Sequence, residues 1–112
     1  MTSQKHTILY GRLSQADGKN AESNSITNQR LMLEKYARDN GFDNVLFLAD
    51  DVYTGTNFER PSWKQIEDMI KLGEVETLIV KDLSRLGREY LQVGYYLELF
   101  FPNMGIRFIA IN

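Results

Sequence analysis

The sequence predicts an α/β fold: a mostly parallel sheet of four or five strands with helices on both faces. Four short apolar segments alternate with three segments of helical periodicity, in the order β-α-β-α-β-α-β. The apolar segments are rich in Ile, Leu, Val and Phe without clean alternation, which indicates strands buried on both sides. Strands that alternate with helices imply right-handed crossovers and therefore parallel pairing.

The composition is typical of one globular domain. The chain has 112 residues, 43% hydrophobic and 25% charged, which is enough for a single core. It has no cysteine, which excludes disulfides and thiolate chemistry and fits a cytoplasmic protein. No apolar run is long enough to span a bilayer, so no membrane role is predicted. The net charge of −2 gives no support for nucleic-acid binding through bulk charge, so a polyanion would need a local cluster of cations.

The first strand is predicted over Thr7–Leu13 and the first helix over Ile26–Asn40. Asn24 or Ser25 can cap the start of this helix, and Gly41 can end it. The polar segment between strand and helix, residues 15–25, is predicted to be a long mobile loop. The inward stripe of the helix is predicted to be Ile26, Leu33, Tyr36 and Ala37 with the stem of Arg30.

The second strand is predicted over Asn44–Ala49, and a loop with the sequence DVYTGTNFE follows it. The second helix starts at Pro61, a residue suited to the first helical position, and stops near Gly73. Its apolar residues recur at helical spacing and predict a buried face made of Trp63, Ile66 and Ile70.

The third strand is predicted over Thr77–Leu83, the third helix over Arg88–Phe101 and the fourth strand over Ile106–Ile111. Pro102 and Gly105 are expected to lie beyond the helix. Apolar residues cover most of the circumference of this helix, so it either lies deep in the protein or meets a second partner.

Charged and hydroxyl side chains gather where the strands end, which is where ligand sites lie in open α/β sheets. Arg12 and Ser14 are two apart in the first strand and are expected to face the same way. Other chemistry-bearing residues follow the second and third strands, and they are Asp50, Asp51, Arg60, Lys81, Asp82, Ser84, Arg85 and Arg88.

Several arginines around one hydroxyl suit phosphoryl transfer, because guanidinium groups bind phosphate oxygens bidentately and stay charged. Ser14 is the candidate nucleophile. The only histidine, His6, lies at the far end of the strand, so a Ser-His-Asp triad is not predicted. No metal or other cofactor is predicted. Taken singly, each feature has a plainer reading as a cap, a turn or a surface ion pair.

Four segments resemble, in order, the catalytic domain of the serine recombinases, which are the resolvases, invertases and large integrases of mobile elements. They are YGRLS at 10–14, SITNQ at 25–29, YTGTNFERPSW at 53–63 and KDLSRLGRE at 81–89. The third-strand segment and the C-terminal RFIAIN look most like the large transposon-type members. The resemblance covers nearly the whole chain and implies a resolvase-like catalytic domain over residues 1–112.

The resemblance assigns roles to eight residues. It implies that Ser14 is the nucleophile and that the other catalytic residues are Arg12, Gln29, Arg60, Arg85 and Arg88. Supporting positions fall on Tyr10 and Asp51, and Asp82 is added as a third from its place in this sequence. Small resolvases carry an aspartate immediately before the arginine pair, where this chain has Ser84. Asp82, two residues earlier, is the possible substitute.

The resemblance implies a cut-and-rejoin reaction on double-stranded DNA. Ser14 would attack a phosphodiester to give a 5′-phosphoserine and a free 3′-hydroxyl, within a homodimer and a synaptic homotetramer. The family's dimerisation helix and DNA-binding part are expected to lie outside this chain. The alternatives are a flavodoxin- or receiver-like signalling module that uses Asp50 or Asp51, and a catalytically silent assembly fragment that acts through the third helix.

Overall fold

The strands form one parallel sheet. A computed structural model describes residues 5–14, 25–52, 60–86 and 90–112, apart from the side chains of Ser14 and Val52. The described strands are β1 (His6–Ser14), β2 (Val45–Val52), β3 (Val75–Val80) and β4 (Arg107–Ala110). They lie in the order β2-β1-β3-β4, and every pairing is parallel, which confirms the predicted α/β class.

Helices cover both faces of this sheet. Successive strand residues point to opposite sides, so they pack against different helices. On one face, Ile8 and Tyr10 belong to a large buried cluster that contains residues of the second and third helices. On the other face, Leu9 and Ile79 pack against residues of the first helix. Burial on both sides explains the consecutive apolar residues 8–10 in β1 and 78–80 in β3.

Helix α1 covers Ile26–Asp39 and begins as predicted. The Oγ of Ser25 accepts a hydrogen bond from the N–H of Asn28 at 3.1 Å, so Ser25 is the cap. Gly41 follows the helix with φ +74°, a conformation that glycine adopts without strain. The predicted loop before the helix lies outside the described residues, apart from Ser25. The buried residues of α1 are Gln29, Leu33 and Ala37.

Helix α2 covers Pro61–Lys71, with Pro61 in the first turn where its missing N–H costs nothing. The predicted buried face is confirmed and consists of Trp63, Ile66 and Ile70. This helix packs against the same face of the sheet as Tyr10. The loop that precedes it, residues 53–59, lies outside the described part of the chain.

Helix α3 contains a π-helical turn. It is α-helical over Tyr90–Tyr95, π-helical over Tyr96–Phe100 and α-helical over Phe101–Asn103. The prediction that the helix ends before Pro102 is wrong. The N–H of Phe101 bonds to the carbonyl of Tyr96, which is the i→i−5 pattern of a π-helix. This wide turn ends at Phe100, two residues before Pro102, which has no N–H to donate to the helix. The predicted start at Arg88 lies outside the described residues.

Strand β2 is longer than predicted. It continues past Ala49 to Val52, so Asp50 and Asp51 belong to the strand and pair with Arg12 and Leu13 of β1. Polar residues at the end of an apolar segment favour the start of a loop, but parallel pairing to β1 continues through them. The two aspartates therefore face opposite sides of the sheet.

Strand β3 begins and ends earlier than predicted. The chain leaves the sheet after Val80 and forms a 3₁₀ turn over Leu83–Arg85. The carboxylate of Asp82 caps this turn by accepting the N–H of Ser84 at 3.1 Å. The turn brings Arg85 back toward the sheet edge, where it is 2% exposed.

The outer face of α3 exposes several large apolar side chains. They are Tyr90, Leu91, Tyr95 and Leu99, and the polar residues Gln92 and Glu98 of the same helix are also exposed. The opposite face of the helix is buried against the sheet and α2 through Tyr96, Phe100 and Phe101. In the ranges that the structure describes, every helix is too short or too polar to cross a membrane.

Candidate active site

Two buried arginines meet where β1 and β3 end. Nη1 of Arg12 donates to the carbonyl of Ser84 at 3.1 Å, and Nη1 of Arg85 donates to the carbonyl of Arg12 at 2.6 Å. Adjacent parallel strands bring their carboxyl ends to the same sheet edge, so residues 73 positions apart come into contact. Arg12 is 9% exposed and Arg85 is 2% exposed.

Gln29 of α1 holds the end of β1 from the opposite face of the sheet. Its Oε1 accepts the N–H of Arg12 at 3.0 Å, and its Nε2 donates to the carbonyl of Arg12 at 3.0 Å. The carbonyl of Arg12 therefore accepts from both Gln29 and Arg85. The Gln29 side chain is buried, and both its amide oxygen and its amide nitrogen are hydrogen-bonded to the backbone of Arg12. It therefore fixes the backbone at the end of β1, which carries Arg12 and Ser14.

Gly11 makes the close approach of Gln29 possible. A Cβ added at Gly11 would lie 3.3 Å from Oε1 of Gln29 and 3.2 Å from Cζ of Phe47. Both distances are tighter than ordinary van der Waals contact, so a side chain here would push α1 or its glutamine away from β1. The close approach of Gln29 and Phe47 to β1 therefore requires glycine at position 11.

Replacing Gly11 by alanine should destabilise the protein by about 1–2 kcal/mol, because the extra methyl overpacks the contact between Gln29 and β1. Denaturant unfolding monitored by circular dichroism measures the change. Gly94 is a matched control, since a Cβ there would meet no atom within 4 Å. In that helical position alanine should raise stability by about 0.5–1 kcal/mol. Equal losses in both variants would contradict the close-approach argument.

Asp82 holds the guanidinium of Arg85. Its Oδ1 lies 3.4 Å from Nε of Arg85, and its Oδ2 accepts from Nη2 at 3.5 Å. The same carboxylate accepts the hydroxyl and the N–H of Ser84. In the resemblance to small resolvases, an aspartate is expected at the position of Ser84. Here Asp82, two residues before Ser84, contacts Arg85 instead. Asp82 is therefore placed to orient Arg85.

Arg60 reaches the same place from the start of α2. Its Nη1 donates to the carbonyl of Arg85 at 3.3 Å, and its Cζ lies 5.4 Å from the ring centroid of Trp63. The latter distance is within the range of a cation–π contact. We call Arg12, Arg60 and Arg85 the arginine cluster. Each of its guanidinium groups donates to a main-chain carbonyl, and the three come from three separate segments of the chain.

Asp50 links β1, β2 and α2. Its Oδ2 accepts the hydroxyl of Tyr10 at 2.7 Å and the N–H of Trp63 at 3.0 Å, while Oδ1 accepts the N–H of Ser62 at 2.9 Å. Asp50 is 4% exposed. It caps the N-terminus of α2 from the neighbouring strand, because Arg60 at the N-cap position makes no side-chain cap hydrogen bond.

The structure distinguishes the two aspartates that the sequence presents as a pair. Asp51, the residue to which the resemblance assigns the supporting role, is exposed and lies on the opposite face of β2 from Asp50. Asp50 is the aspartate that contacts Tyr10, and the sequence motifs did not predict this contact. One signal was available: Pro61 starts a helix after an arginine, so a cap for α2 had to come from elsewhere in the fold.

Tyr10 is buried with its hydroxyl donated to Asp50. Burial, and then the hydrogen bond to Asp50, raises the pKa of Tyr10 well above its ordinary value of 10.0. Its ring lies 5.2 Å from that of Trp63, centroid to centroid. Tyr10 therefore stays a neutral hydrogen-bond donor, and its contacts are those of a residue that supports the end of β1.

Most of the sequence-predicted site residues come together, and two lie partly or wholly outside the described atoms. The structure joins Arg12, Gln29, Arg60, Asp82 and Arg85 through direct hydrogen bonds. Ser14 is the last residue of β1 and its backbone pairs with Val52, while its side chain is not described. Arg88 lies outside the described residues. The catalytic roles assigned to these residues remain predictions.

The family model for the N-terminal domain of resolvases matches residues 7–112. The chain belongs to the resolvase family. The crystal structure of the N-terminal catalytic domain of TP901-1 integrase is similar, with a TM-score of 0.79 and 28% identity over 96% of this chain and 78% of that one. A serine recombinase from Sulfolobus solfataricus gives a TM-score of 0.72 and 25% identity over 98% of this chain and 69% of that one.

Another similar structure is the first open reading frame of transposon ISC1904 from Sulfolobus solfataricus P2. It has a TM-score of 0.67 and 27% identity over 96% of this chain and 67% of that one. The search among curated proteins found no relative of significant similarity. The resolvase match and these neighbours confirm the resemblance to the serine recombinase catalytic domain and its fold. They are not consistent with the flavodoxin- or receiver-like alternative.

Proposed function

We propose that this resolvase-family domain cuts and rejoins double-stranded DNA with Ser14 as its nucleophile. One observation carries the proposal: the arginine cluster lies at the carboxyl end of the strand that ends in Ser14. The cluster has three guanidinium groups, of which that of Arg85 is paired with the carboxylate of Asp82. Permanent positive charge beside the end of β1 suits a reaction in which negative charge develops on phosphate oxygens.

The reaction exchanges one phosphate ester for another. The Ser14 oxygen forms a bond to the scissile phosphorus, and the bond from that phosphorus to the 3′ oxygen breaks. The serine loses its proton, and the 3′ oxygen leaves as a hydroxyl after gaining one. The 5′-phosphoserine retains the energy of the original ester, so reversal of the same step reseals DNA without a nucleotide cofactor.

The carbonyl contacts of the arginine cluster are compatible with phosphate binding. A guanidinium group makes stronger, shorter hydrogen bonds to an anionic phosphate oxygen than to a neutral carbonyl. Arg12 and Arg60 can thus exchange carbonyl acceptors for phosphate oxygens with a net gain. Arg85 is the most buried and is also paired to Asp82, so its first contribution is to hold the end of β1 in place.

Strand exchange needs more than one copy of the domain, and the outer face of α3 is suited to a subunit contact. It exposes Tyr90, Leu91, Tyr95 and Leu99, and clustered exposed apolar side chains are typical of protein–protein contacts. The proposed assemblies are a homodimer and a synaptic homotetramer. Sequence-specific DNA recognition is proposed to reside in segments beyond these residues, since the net charge here is −2.

A covalent-capture experiment tests the proposed function. The recombinase is incubated with a pool of nicked duplex oligonucleotides of randomised sequence, in which cleavage releases a short fragment and prevents resealing. We expect a protein–DNA adduct that survives denaturing electrophoresis. Digestion and mass spectrometry should place the nucleotide on the peptide that contains Ser14, and the released DNA strand should end in a 3′-hydroxyl. Cleavage without any covalent adduct would refute the proposed mechanism.

A further inference from the structure

The orientation of Arg60 depends on the indole ring of Trp63. Arg60 is the first residue described after residues 53–59, and its guanidinium makes two contacts within the described part of the chain. One is the hydrogen bond of 3.3 Å to the carbonyl of Arg85. The other is the stacking of its Cζ over the ring of Trp63 at 5.4 Å. A cation–π contact constrains the guanidinium to the ring face, so the tilt of the ring sets where Arg60 can point.

Tyr96 sets the tilt of that ring. Nε1 of Trp63 donates to the hydroxyl of Tyr96 at 3.0 Å, and the two rings meet edge to face with centroids 5.2 Å apart. Trp63 is 3% exposed, so its N–H depends on a protein partner. The hydroxyl of Tyr96 in turn donates to Oε2 of Glu67 at 3.4 Å. This directed chain fixes the indole plane more tightly than apolar packing would.

Tyr96 occupies a special position in α3. It is the first residue of the π-helical turn, and its ring stacks on Phe101 with centroids 5.9 Å apart. It is 5% exposed, whereas the neighbouring Tyr95 is 49% exposed on the outer face. Turns of this kind redirect side chains relative to a regular α-helix. Here the turn begins at the residue whose hydroxyl receives the indole N–H.

Arg60 has room to move if the indole tilts. A groove of about 390 Å³ separates the start of α2 from α3. Its lining includes Arg60, Trp63, Lys64, Glu67, Gln92 and Tyr96. If the indole of Trp63 tilts away, the guanidinium of Arg60 can rotate into this groove, away from the end of β1. Arg12 and Arg85 are held by buried hydrogen bonds at the sheet edge, so Arg60 is the member of the arginine cluster that a change in this groove affects.

We infer that Tyr96 is a positioning residue for Arg60. Its hydroxyl orients the Trp63 indole, and the indole face orients the guanidinium toward the strand ends. This inference rests on the proposed function in so far as Arg60 acts in DNA cleavage. It extends that function by connecting the catalytic arginine to α3, the helix whose outer face is proposed to contact another subunit.

The first test measures the order of Arg60 itself, without DNA. In the nitrogen–proton spectrum of the 112-residue protein, exchange with water of the Arg60 Nη1–H protons, which donate to the carbonyl of Arg85, is compared between wild type and Tyr96→Phe. The phenylalanine keeps the ring and removes only the hydroxyl. We expect exchange to accelerate by about tenfold, which corresponds to the loss of one hydrogen bond. Trp63→Phe, which keeps an aromatic face but removes the indole N–H, should show acceleration of the same kind.

The second test measures cleavage of the nicked duplex pool by the recombinase. Tyr96→Phe should slow single-turnover adduct formation by about tenfold. In an Arg60→Ala background the same substitution should have no further effect, because Tyr96 acts through Arg60. Tyr36→Phe on α1, a half-buried tyrosine that stacks on Phe42, is the control and should leave cleavage and Arg60 exchange unchanged.

The outcomes separate this inference from the proposed function. Unchanged Arg60 exchange in Tyr96→Phe, or an equal slowing of cleavage in the Arg60→Ala background, would overturn the positioning role. A wild-type protein that forms no adduct would refute the proposed function, while accelerated exchange in Tyr96→Phe would still support the connection from Tyr96 to Arg60.

Discussion

Replacing Ser14 by alanine should abolish covalent capture of DNA, with a fall in adduct formation of at least about 10³-fold. The serine oxygen is the atom that forms the bond to phosphorus, so its removal leaves no covalent route, whereas a stabilising group contributes only part of the rate. The arginine cluster should persist in this variant, since its described contacts use side chains and carbonyls other than the Ser14 hydroxyl. Denaturing electrophoresis with labelled nicked duplexes measures the loss.

The control for this variant is Ser25→Ala. Ser25 is also a serine at the edge of an element, but its Oγ caps α1 by accepting the N–H of Asn28. Its removal should lower stability by about 1 kcal/mol through the lost cap and leave adduct formation intact at a temperature where the protein is folded. Adducts that persist in Ser14→Ala at the wild-type rate would remove Ser14 as the nucleophile and would direct attention to another hydroxyl.

Replacing Asp50 by alanine should destabilise the fold by about 3 kcal/mol. The substitution removes the cap of α2, worth about 1 kcal/mol, and leaves the buried hydroxyl of Tyr10 without its acceptor, which costs about 2 kcal/mol more. Because Arg60 is the N-cap residue of α2 and Trp63 lies in its first turn, the loss of the Asp50 cap should also loosen the arginine cluster. Thermal unfolding should show a fall in Tm of about 10 °C.

Two further variants make this expectation specific. Asp51→Ala removes an aspartate from the adjacent position, but that side chain is exposed, so its cost should stay below about 1 kcal/mol. Asp50→Asn keeps an oxygen that can cap α2 and should recover part of the lost stability. An Asp51→Ala variant that is as unstable as Asp50→Ala would show that the two residues are not distinguished by burial as described.

Local patterns predicted most of the elements correctly. Ser25, Pro61 and Gly41 mark helix ends by chemistry that acts within a few residues, and the structure places each where the pattern required. The π-helical turn before Pro102 was not predicted, because a proline signals the end of a regular helix and the alternative depends on how α3 packs. The end of β2 was missed for a similar reason, since the pairing with β1 extends the strand through two polar residues.

For the candidate site, motifs predicted which residues take part but not the contacts between them. The arginines and Gln29 were predicted from their motifs, and the α/β class implied that the carboxyl ends of the strands would share one edge of the sheet. The contacts that hold them were not visible in the motifs, because they join side chains to main-chain carbonyls far away in sequence. Asp50 is the clearest case: its acidic neighbour Asp51 has the same chemistry, and only the direction of each side chain separates a buried helix cap from an exposed carboxylate.

Sequence patterns were sufficient to predict the α/β class, the family and the set of residues available for chemistry, because hydrophobic periodicity and short motifs act over a few neighbouring residues. The folded structure was needed to show which aspartate caps α2, that Asp82 contacts Arg85, and that Tyr96 is connected to Arg60 through Trp63. Those contacts depend on distances between segments that pack against one another after folding. Side chains of equal chemistry then differ in burial and in the partners that burial brings within hydrogen-bond range.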